Sequence, residues 1–289
     1  MADGFAERDE DGIRLQEEIC EIARRENIRI IGPNTAGILN TSNGLNPCPY
    51  AAGYSSVKTG PVAICSQTGM INPQAFPYAD TCCGFSKICD LGNKCDVDES
   101  DILEYLGNDP ETQVISMHLE SIKNGTRFMA IARKVTPSKP VLILKGGRTK
   151  EGANAAASHT GSMAVDDEIF HAVCKQAGII RLEKFNELFE LPKIFGYQPL
   201  PRGNRLAVVS FSGATGILSL DEGVKYGLSV APFTSETEKI LKDIFFILGR
   251  NPVDVGPLPA YLSSGDFMSN YGEIINAVIT DNQVDSLFN

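Results

Sequence analysis

No stretch of the chain approaches the roughly 18 consecutive apolar residues that a membrane-spanning helix needs. The opening residues from Met1 to Arg8 are polar and lack the apolar core of a secretory signal, so none is expected. Positive charge is also scarce: 26 Lys and Arg stand against 36 Asp and Glu, a net charge of −10. No local basic patch offsets the repulsion that a nucleic acid would meet. Neither a nucleic acid nor a membrane is therefore an expected partner. The eight cysteines include no Cys-x-x-Cys pair, and no histidine stands at zinc-finger spacing, so no metal site is expected. Most of the cysteines lie inside apolar runs and read as small core residues, kept reduced in a cytoplasm.

What is present is enough for real cores. The chain has 289 residues with 43 % hydrophobic content, which suits about two domains. Residues 11–27 place Ile13, Leu15, Ile19, Ile22 and Ala23 largely on one helical face, and residues 28–31 read as a short strand. A helix and strand of this kind normally complete a sheet begun earlier in a chain. The strand would leave an unpaired edge, which predicts an oligomer or instability in isolation. Turn formers then dominate up to Gly60, among them Asn43-Gly44, Asn46-Pro47 and Gly53.

A second α/β unit opens with a strand at 61–65, with further strands expected at 85–91, 114–119, 141–144 and 179–182. Helices are expected near 98–106, with Asp98 or Ser100 as N-cap, and near 127–135, 166–176 and 183–194. A third unit opens at 205–209 and turns into a helix reaching about Tyr226. The resulting division is 1–46, a linker at 47–60, 61–196, a linker at 197–204, and 205–289. The expected class is α/β: successive flavodoxin-like or Rossmann-like doubly wound parallel-sheet units, the first and last incomplete.

Chemistry concentrates where strands end. After the apolar run Pro140-Val141-Leu142-Ile143-Leu144, residues 146–162 are rich in Gly, Ala and Ser and carry one imidazole, His159. A run of that kind suits a strand covered on both faces, and open α/β sheets hold their sites at the carboxyl ends of such strands. His159 is read as a reactive group on a mobile loop. Two turns share the pattern strand, Ser-x-Ser/Thr-Gly, helix: Ser66-Gln67-Thr68-Gly69 and Ser210-Phe211-Ser212-Gly213. Hydroxyls and free N–H groups at a helix start make an anion site, so the two turns suggest a phosphoryl group held between helix ends while bonded to an imidazole. Such turns also occur as ordinary caps.

Six motifs give the chain a resemblance to the ADP-forming acyl-CoA synthetases, relatives of succinyl-CoA synthetase. They are Gly32-Pro33-Asn34-Thr35-Ala36-Gly37, Ser66-Gln67-Thr68-Gly69, Gly92-Asn93-Lys94-Cys95-Asp96-Val97-Asp98, Leu103-Glu104-Tyr105-Leu106, Ser158-His159-Thr160-Gly161-Ser162 and Asn251-Pro252-Val253-Asp254. The resemblance implies an enzyme that makes acyl-CoA from acid, CoA and ATP through an acyl phosphate and a phosphohistidine. It implies that His159 is phosphorylated and that Glu120, ending the strand at 114–119, orients it. Phosphate binding would fall to Ser66, Gln67, Thr68, Gly69, Thr160, Gly161, Ser212, Gly213 and Ala214. Gly32, Asn34 and Thr35 would meet the acyl and thiol end of CoA. ATP or ADP with Mg²⁺ would be held on a partner ATP-grasp subunit or domain, residues 1–46 would be the end of a CoA-binding Rossmann domain, and 205–289 part of a second ligase domain.

Gln67 is left between substrate contact and a solvent-facing turn residue, and His118 and His171 are taken as structural. Two departures from the family pattern stand out. Pro73 and Pro77 require the first helix to start near Pro73 and to kink or end before Pro77. Ser210-Phe211-Ser212-Gly213 replaces the commoner Asn-Gly-Gly form of the second turn. Alternative readings are a non-catalytic binding or regulatory module on the same scaffold, or an inactive fragment.

Overall fold

A computed structural model of the chain describes residues 3–48, 53–76, 78, 81, 83–160 and 166–289, with the side chains of 157–160 excepted. The chain divides into two compact units, Met1–Gln198 and Pro199–Asn289. Residues 1–46, expected as the remainder of a separate unit, belong to the same compact unit as residues 61–196.

In the first unit, parallel strands β2 (Thr59–Ser66), β3 (Phe85–Asp90), β4 (Val114–Leu119), β5 (Val141–Lys145) and β6 (Ile180–Leu182) lie in the order β3-β2-β4-β5-β6. Numbered from the first of them, this is the flavodoxin order 2-1-3-4-5, whose reversal point lies between β2 and β4. Burial on both faces explains the unbroken apolar runs. Ala63, Cys65, Ile115, Met117 and Ile143 point to one layer, where helices α2 (Glu99–Asn108), α3 (Gly125–Val135) and α5 (Asp167–Ala177) bring Leu103, Phe128 and Phe170. Val62, Ile64, Ile88, Leu142 and Leu144 point to the other, packed by Leu188 and Phe189 of α6 (Glu187–Tyr197) and by Tyr54 and Tyr78. Asp98 caps α2 through a reciprocal box with Asp101, each side chain accepting from the other's end of the first turn.

Three expectations are corrected. Residues 28–31 form no strand: Ile30 N–H donates to Asp96 at 2.8 Å and Val97 N–H to Ile30 O at 3.0 Å, so the segment is tied to the loop after β3. The open edge inferred from it does not exist. The edge beside β3 is taken instead by β1 (Ile38–Asn40), which runs antiparallel and makes the sheet mixed. The helix expected after Gly69 is reduced to one 3₁₀ turn, Gly69–Ile71, and residues 72–76 continue as turns. Pro73 cannot donate an N–H to extend it, and Pro77 lies outside the described residues. The Gly/Ala-rich segment expected as a mobile loop is α4 (Lys150–Thr160). Alanine is the best helix former, and Ala153, Ala155, Ala156 and Ala157 outweigh Gly152.

Six of the seven described cysteines are buried, and none is in a disulfide. No described helix is long and apolar enough to cross a membrane.

The second unit is built on β7 (Arg205–Ser210), which pairs in parallel with β10 (Ser286–Phe288), β8 (Ser229–Val230) and β9 (Val253–Asp254). Helix α7 (Gly213–Lys225) follows β7; α8 (Ser235–Ile244) and α9 (Ser264–Thr280) supply Leu241, Ile274 and Val278 to a core with Ala207 and Val209. β8 meets only the start of β7 and β9 only its end. Between them the Asn251 carboxamide fills the ladder: its Oδ1 accepts from Val208 N–H at 3.0 Å, and its Nδ2 donates to Leu206 O at 2.8 Å and Ala231 O at 3.0 Å.

Asn251→Ala is expected to cost about 1–3 kcal/mol by leaving these backbone groups unmet. The urea midpoint of the unit's unfolding and faster exchange of the Val208 amide would measure it. An unchanged Val208 exchange rate would show that the side chain is not part of the ladder.

Candidate active site

At the carboxyl edge of the first sheet, the ends of the neighbouring strands β2, β4 and β5 converge. β2 ends at Ser66, whose Oγ lies 3.1 Å from His118 Nδ1 and accepts from Thr68 N–H at 3.1 Å. His118 is 6 % exposed, and burial pushes its pKa down to about 4, so the ring is neutral near pH 7.

Glu120 follows β4 and is half-buried. Beside it β5 ends in Lys145, whose buried ammonium donates to the carbonyls of Gly146 and Gly147 at 3.2 and 2.9 Å. A Cβ on Gly146 would stand 3.1 Å from Glu120 Cγ and 3.3 Å from His118 Nε2, so glycine lets the β5 exit pass close against both. Gly147 (φ +64) then turns the chain into α4, and a Cβ there would lie 3.4 Å from Ala156 Cβ. The small residues of the segment therefore serve close packing of α4 on this edge. His159 and Thr160 fall in the last turn of α4; their side chains, and all of Gly161, lie outside the described residues. His171, on α5, belongs to a different element.

Of the first anion turn, Thr68 and Gly69 are half-buried and Ser66 is spent on His118 and Thr68. Gln67 is neither solvent-facing nor open to a ligand through its side chain. It is 2 % exposed; its Oε1 accepts from Glu120 N–H at 2.9 Å and Ser121 N–H at 3.0 Å, and its own N–H donates to His118 O at 3.0 Å.

Residues 32–37 dock on the loop after β3. Asn34 is exposed with φ +54, and Thr35 Oγ1 donates to Asp90 O and accepts from Gly37 N–H at 2.9 Å. Gly32, with φ +100, is buried beneath Thr35, whose Cγ2 would be 2.7 Å from a Cβ there. Asp90 closes the arrangement: one carboxylate oxygen accepts from Ala36 N–H at 2.6 Å and the other from Gly92 N–H at 3.1 Å. Burial raises its pKa to about 6 against those two bonds. Gly92 has φ +55, and a Cβ on it would fall 2.2 Å from Pro33 O, so no other residue fits there.

Ser212, Gly213 and Ala214 lie in the second unit, at the start of α7. Ser212 is exposed but makes no side-chain cap bond. Asp254, at the end of β9, points at that helix start: its Oδ2 is 2.9 Å from where a Gly213 Cβ would be. A carboxylate already occupies part of the positive end that an anion would use.

Reading the sequence by motif gave no role to Asp90, Lys94, Lys145 or Ser121. One of them, Lys145, is a charged residue in the last position of an otherwise apolar strand, which is the signal that would have found it.

Residues 59–195 match the profile of the succinyl-CoA ligase like flavodoxin domain. The chain is 37 % identical, over 99 % of its length, to the acetate–CoA ligase (ADP-forming) II of Archaeoglobus fulgidus. It is 39 % identical, over 87 % of its length, to the acetate–CoA ligase (ADP-forming) II subunit alpha of Pyrococcus furiosus. The chain belongs to the ADP-forming acyl-CoA synthetase family. A solved member, the dinucleotide forming acetyl-coenzyme A synthetase 1 of Ca. Korarchaeum cryptofilum in complex with phosphate and ADP, superposes on 99 % of this chain with a TM-score of 0.87 at 31 % identity. The chain spans 42 % and 55 % of the two ligases and 60 % of the solved synthetase.

His118 and Asp90 pull stability in opposite directions with pH. An imidazole at about 4 in the fold and 6.5 unfolded leaves stability intact above pH 6.5 and loses it as pH falls toward 4. A carboxyl raised from 3.8 to about 6 disfavours the fold when ionised above pH 6 and restores stability as pH falls toward 3.8. Each swing is about 3 kcal/mol, so the two nearly cancel between about pH 6 and pH 4. Asp90→Asn is expected to unmask acid lability below about pH 6.5, and His118→Gln to favour the acid side relative to wild type. Urea midpoints at about pH 7, 5.5 and 4.5 check both; parallel profiles in all three proteins would contradict the opposed pair.

Proposed function

We propose that this chain is the phosphohistidine-carrying part of an ADP-forming acid–CoA ligase. ATP gives its γ-phosphoryl group to a nitrogen of His159 and leaves as ADP. The carboxylate of a small acid takes the phosphoryl group from His159 to form an acyl phosphate. The CoA thiolate attacks the acyl carbon and expels phosphate, giving acyl-CoA. Glu120 accepts a hydrogen bond from the other ring nitrogen, which holds the tautomer, leaves the attacking nitrogen free and steadies the ring while it carries phosphate.

The observation that carries the reading is the convergence of two neighbouring strand ends: Glu120 leaves β4 where Gly146 and Gly147 leave β5, and α4, which bears His159, starts from that exit. Thr68, Gly69, Thr160 and Gly161 are assigned to the phosphoryl group, with Gly32, Asn34 and Thr35 toward CoA. Ser66 and Gln67 support that turn from within, their side chains bonded to His118, Thr68, Glu120 and Ser121 rather than offered to the phosphoryl group. Among the described residues no group of three His, Cys, Asp or Glu side chains could hold a metal ion. As the family resemblance implies, Mg²⁺ is assigned, with the nucleotide, to an ATP-grasp partner subunit or domain, in an oligomeric assembly working in the cytoplasm.

A second reading, a binding or regulatory module, is favoured by two details: the first turn enters a single 3₁₀ turn, and Asp254 faces the start of α7. Both weaken the anion sites that phosphoryl transfer needs.

Incubation with ³²P-labelled acetyl phosphate, or with γ-labelled ATP and an ATP-grasp subunit of the family, separates the two. Acid-labile, base-stable label is expected on the wild type, absent in His159→Ala and formed about a hundredfold more slowly in Glu120→Gln. Folded wild-type protein that takes no label from either donor supports the module reading.

A further inference from the structure

Directly behind Glu120 lies a buried polar cluster that none of the proposed steps uses. Lys94 is 1 % exposed, Glu99 is fully buried, and Gln67 and Ser121 are 2 % and 5 % exposed. The Lys94 ammonium donates to Glu99 Oε2 at 2.8 Å, Ser121 O at 2.8 Å, Gln67 Oε1 at 3.0 Å and Ser121 Oγ at 3.2 Å. Glu99 Oε1 accepts from Lys123 N–H at 2.7 Å, and the Lys123 ammonium donates to Lys94 O. Gln67 Nε2 donates to Ser121 Oγ at 3.0 Å.

Such a cluster is an unusual way to hold a fold. A buried ion pair loses much hydration for what it gains, and apolar side chains of similar volume often serve stability as well or better. Lys94 also adopts φ +54, a left-handed conformation that is uncommon for a residue with a side chain. Strain of this kind persists where the surroundings enforce a geometry, and it concentrates at functional sites.

The geometry is directed at one point. The Gln67 amide oxygen gathers Lys94 Nζ, Glu120 N–H and Ser121 N–H, with the Ser121 hydroxyl more distant at 3.4 Å. The ammonium polarises that carbonyl, which strengthens its grip on the two amides. Gln67 belongs to the turn after β2, Lys94 to the loop after β3, and Glu120 with Ser121 to the turn after β4. The cluster thus ties the anion turn at Ser66-Gln67-Thr68-Gly69 to the backbone of the carboxylate that faces the β5 exit.

We infer that Lys94 and Gln67 are positioning residues for phosphoryl transfer, acting through the Gln67 amide oxygen to hold the Glu120 backbone in register with the Thr68–Gly69 turn. This rests on the role proposed for Glu120 and His159. Glu99 serves as the counter-ion that lets Lys94 stay charged out of water; burial lowers the Lys94 pKa and Glu99 opposes the shift.

The test compares wild type, Gln67→Met and the paired Lys94→Met/Glu99→Leu using the full chain and ³²P-labelled acetyl phosphate. The paired variant removes the charges together, so it leaves no orphaned ion and keeps the comparison open if Gln67→Met does not fold. Thermal melting of the paired variant at or above wild type, with maximal labelling about ten- to a hundredfold slower, is the expected result. The half-saturating donor concentration should change little, and the acid limb of the rate should move in the same direction as in Glu120→Gln. In wild type the Glu120 and Ser121 amides should be among the slowly exchanging ones. Wild-type rate and pH profile in a folded variant, or fast exchange of those two amides in wild type, would overturn the positioning role alone. No label on wild type would overturn the function reading, and this inference with it.

Discussion

A parallel sheet buried on both faces has only its strand ends left for chemistry, and the first unit depends on that constraint throughout. On β2, β4 and β5 polar side chains gather toward the carboxyl ends: Ser66 on β2, His118 on β4 with Glu120 just past it, and Lys145 on β5. Ser66 meets His118 of the neighbouring strand, the Glu120 N–H is taken by Gln67 from the turn after β2, and Lys145 is held by the carbonyls of its own exit. The edge behaves as one polar layer on top of an apolar slab. Its groups are spaced by the sheet's own strand separation of about 4.8 Å, close enough to hydrogen-bond in turn from one strand to the next.

Much of the slab was legible in the sequence. Unbroken runs such as Val141-Leu142-Ile143-Leu144 have no polar face, which predicts a covered parallel strand, and the run forms β5. Asp98 and Asp166 mark helix starts because a short carboxylate can accept from the first free N–H groups, and both do so. Errors arose where a short local pattern met a stronger contact from elsewhere. The β-branched run at 28–31 looks like a strand, but Asp96, 66 residues later than Ile30, claims its backbone. The Gly and Ser around His159 suggest a loop, but the four alanines set the backbone and α4 forms.

The site was legible in part, for a related reason. Motifs reveal residues that face a ligand, and they drew attention to Glu120 and Gln67 together. They do not distinguish a side chain that touches substrate from one that holds another residue. Only the distances show Gln67 turned inward with its amide oxygen occupied. Lys94 stands inside the Gly92–Asp98 motif, but the motif does not say where its ammonium goes, and the usual fate of an ammonium is solvent. Its burial follows from Glu99, which sits at the first residue of α2, and from carbonyl and hydroxyl groups of Ser121 in a separate turn. No one-dimensional pattern brings those three together.

The second unit makes a different kind of exception. Hydrogen bonds in a β-ladder come from the main chain, so they are nearly indifferent to which side chains the strands carry, and substitution ordinarily leaves every rung in place. Where β8 and β9 fall short of each other along β7, the rung is the carboxamide of Asn251. One step of this sheet is therefore written in the genetic code rather than in the polypeptide backbone. A single codon change can open the ladder there, and at that step the sheet inherits the mutational fragility of a side chain.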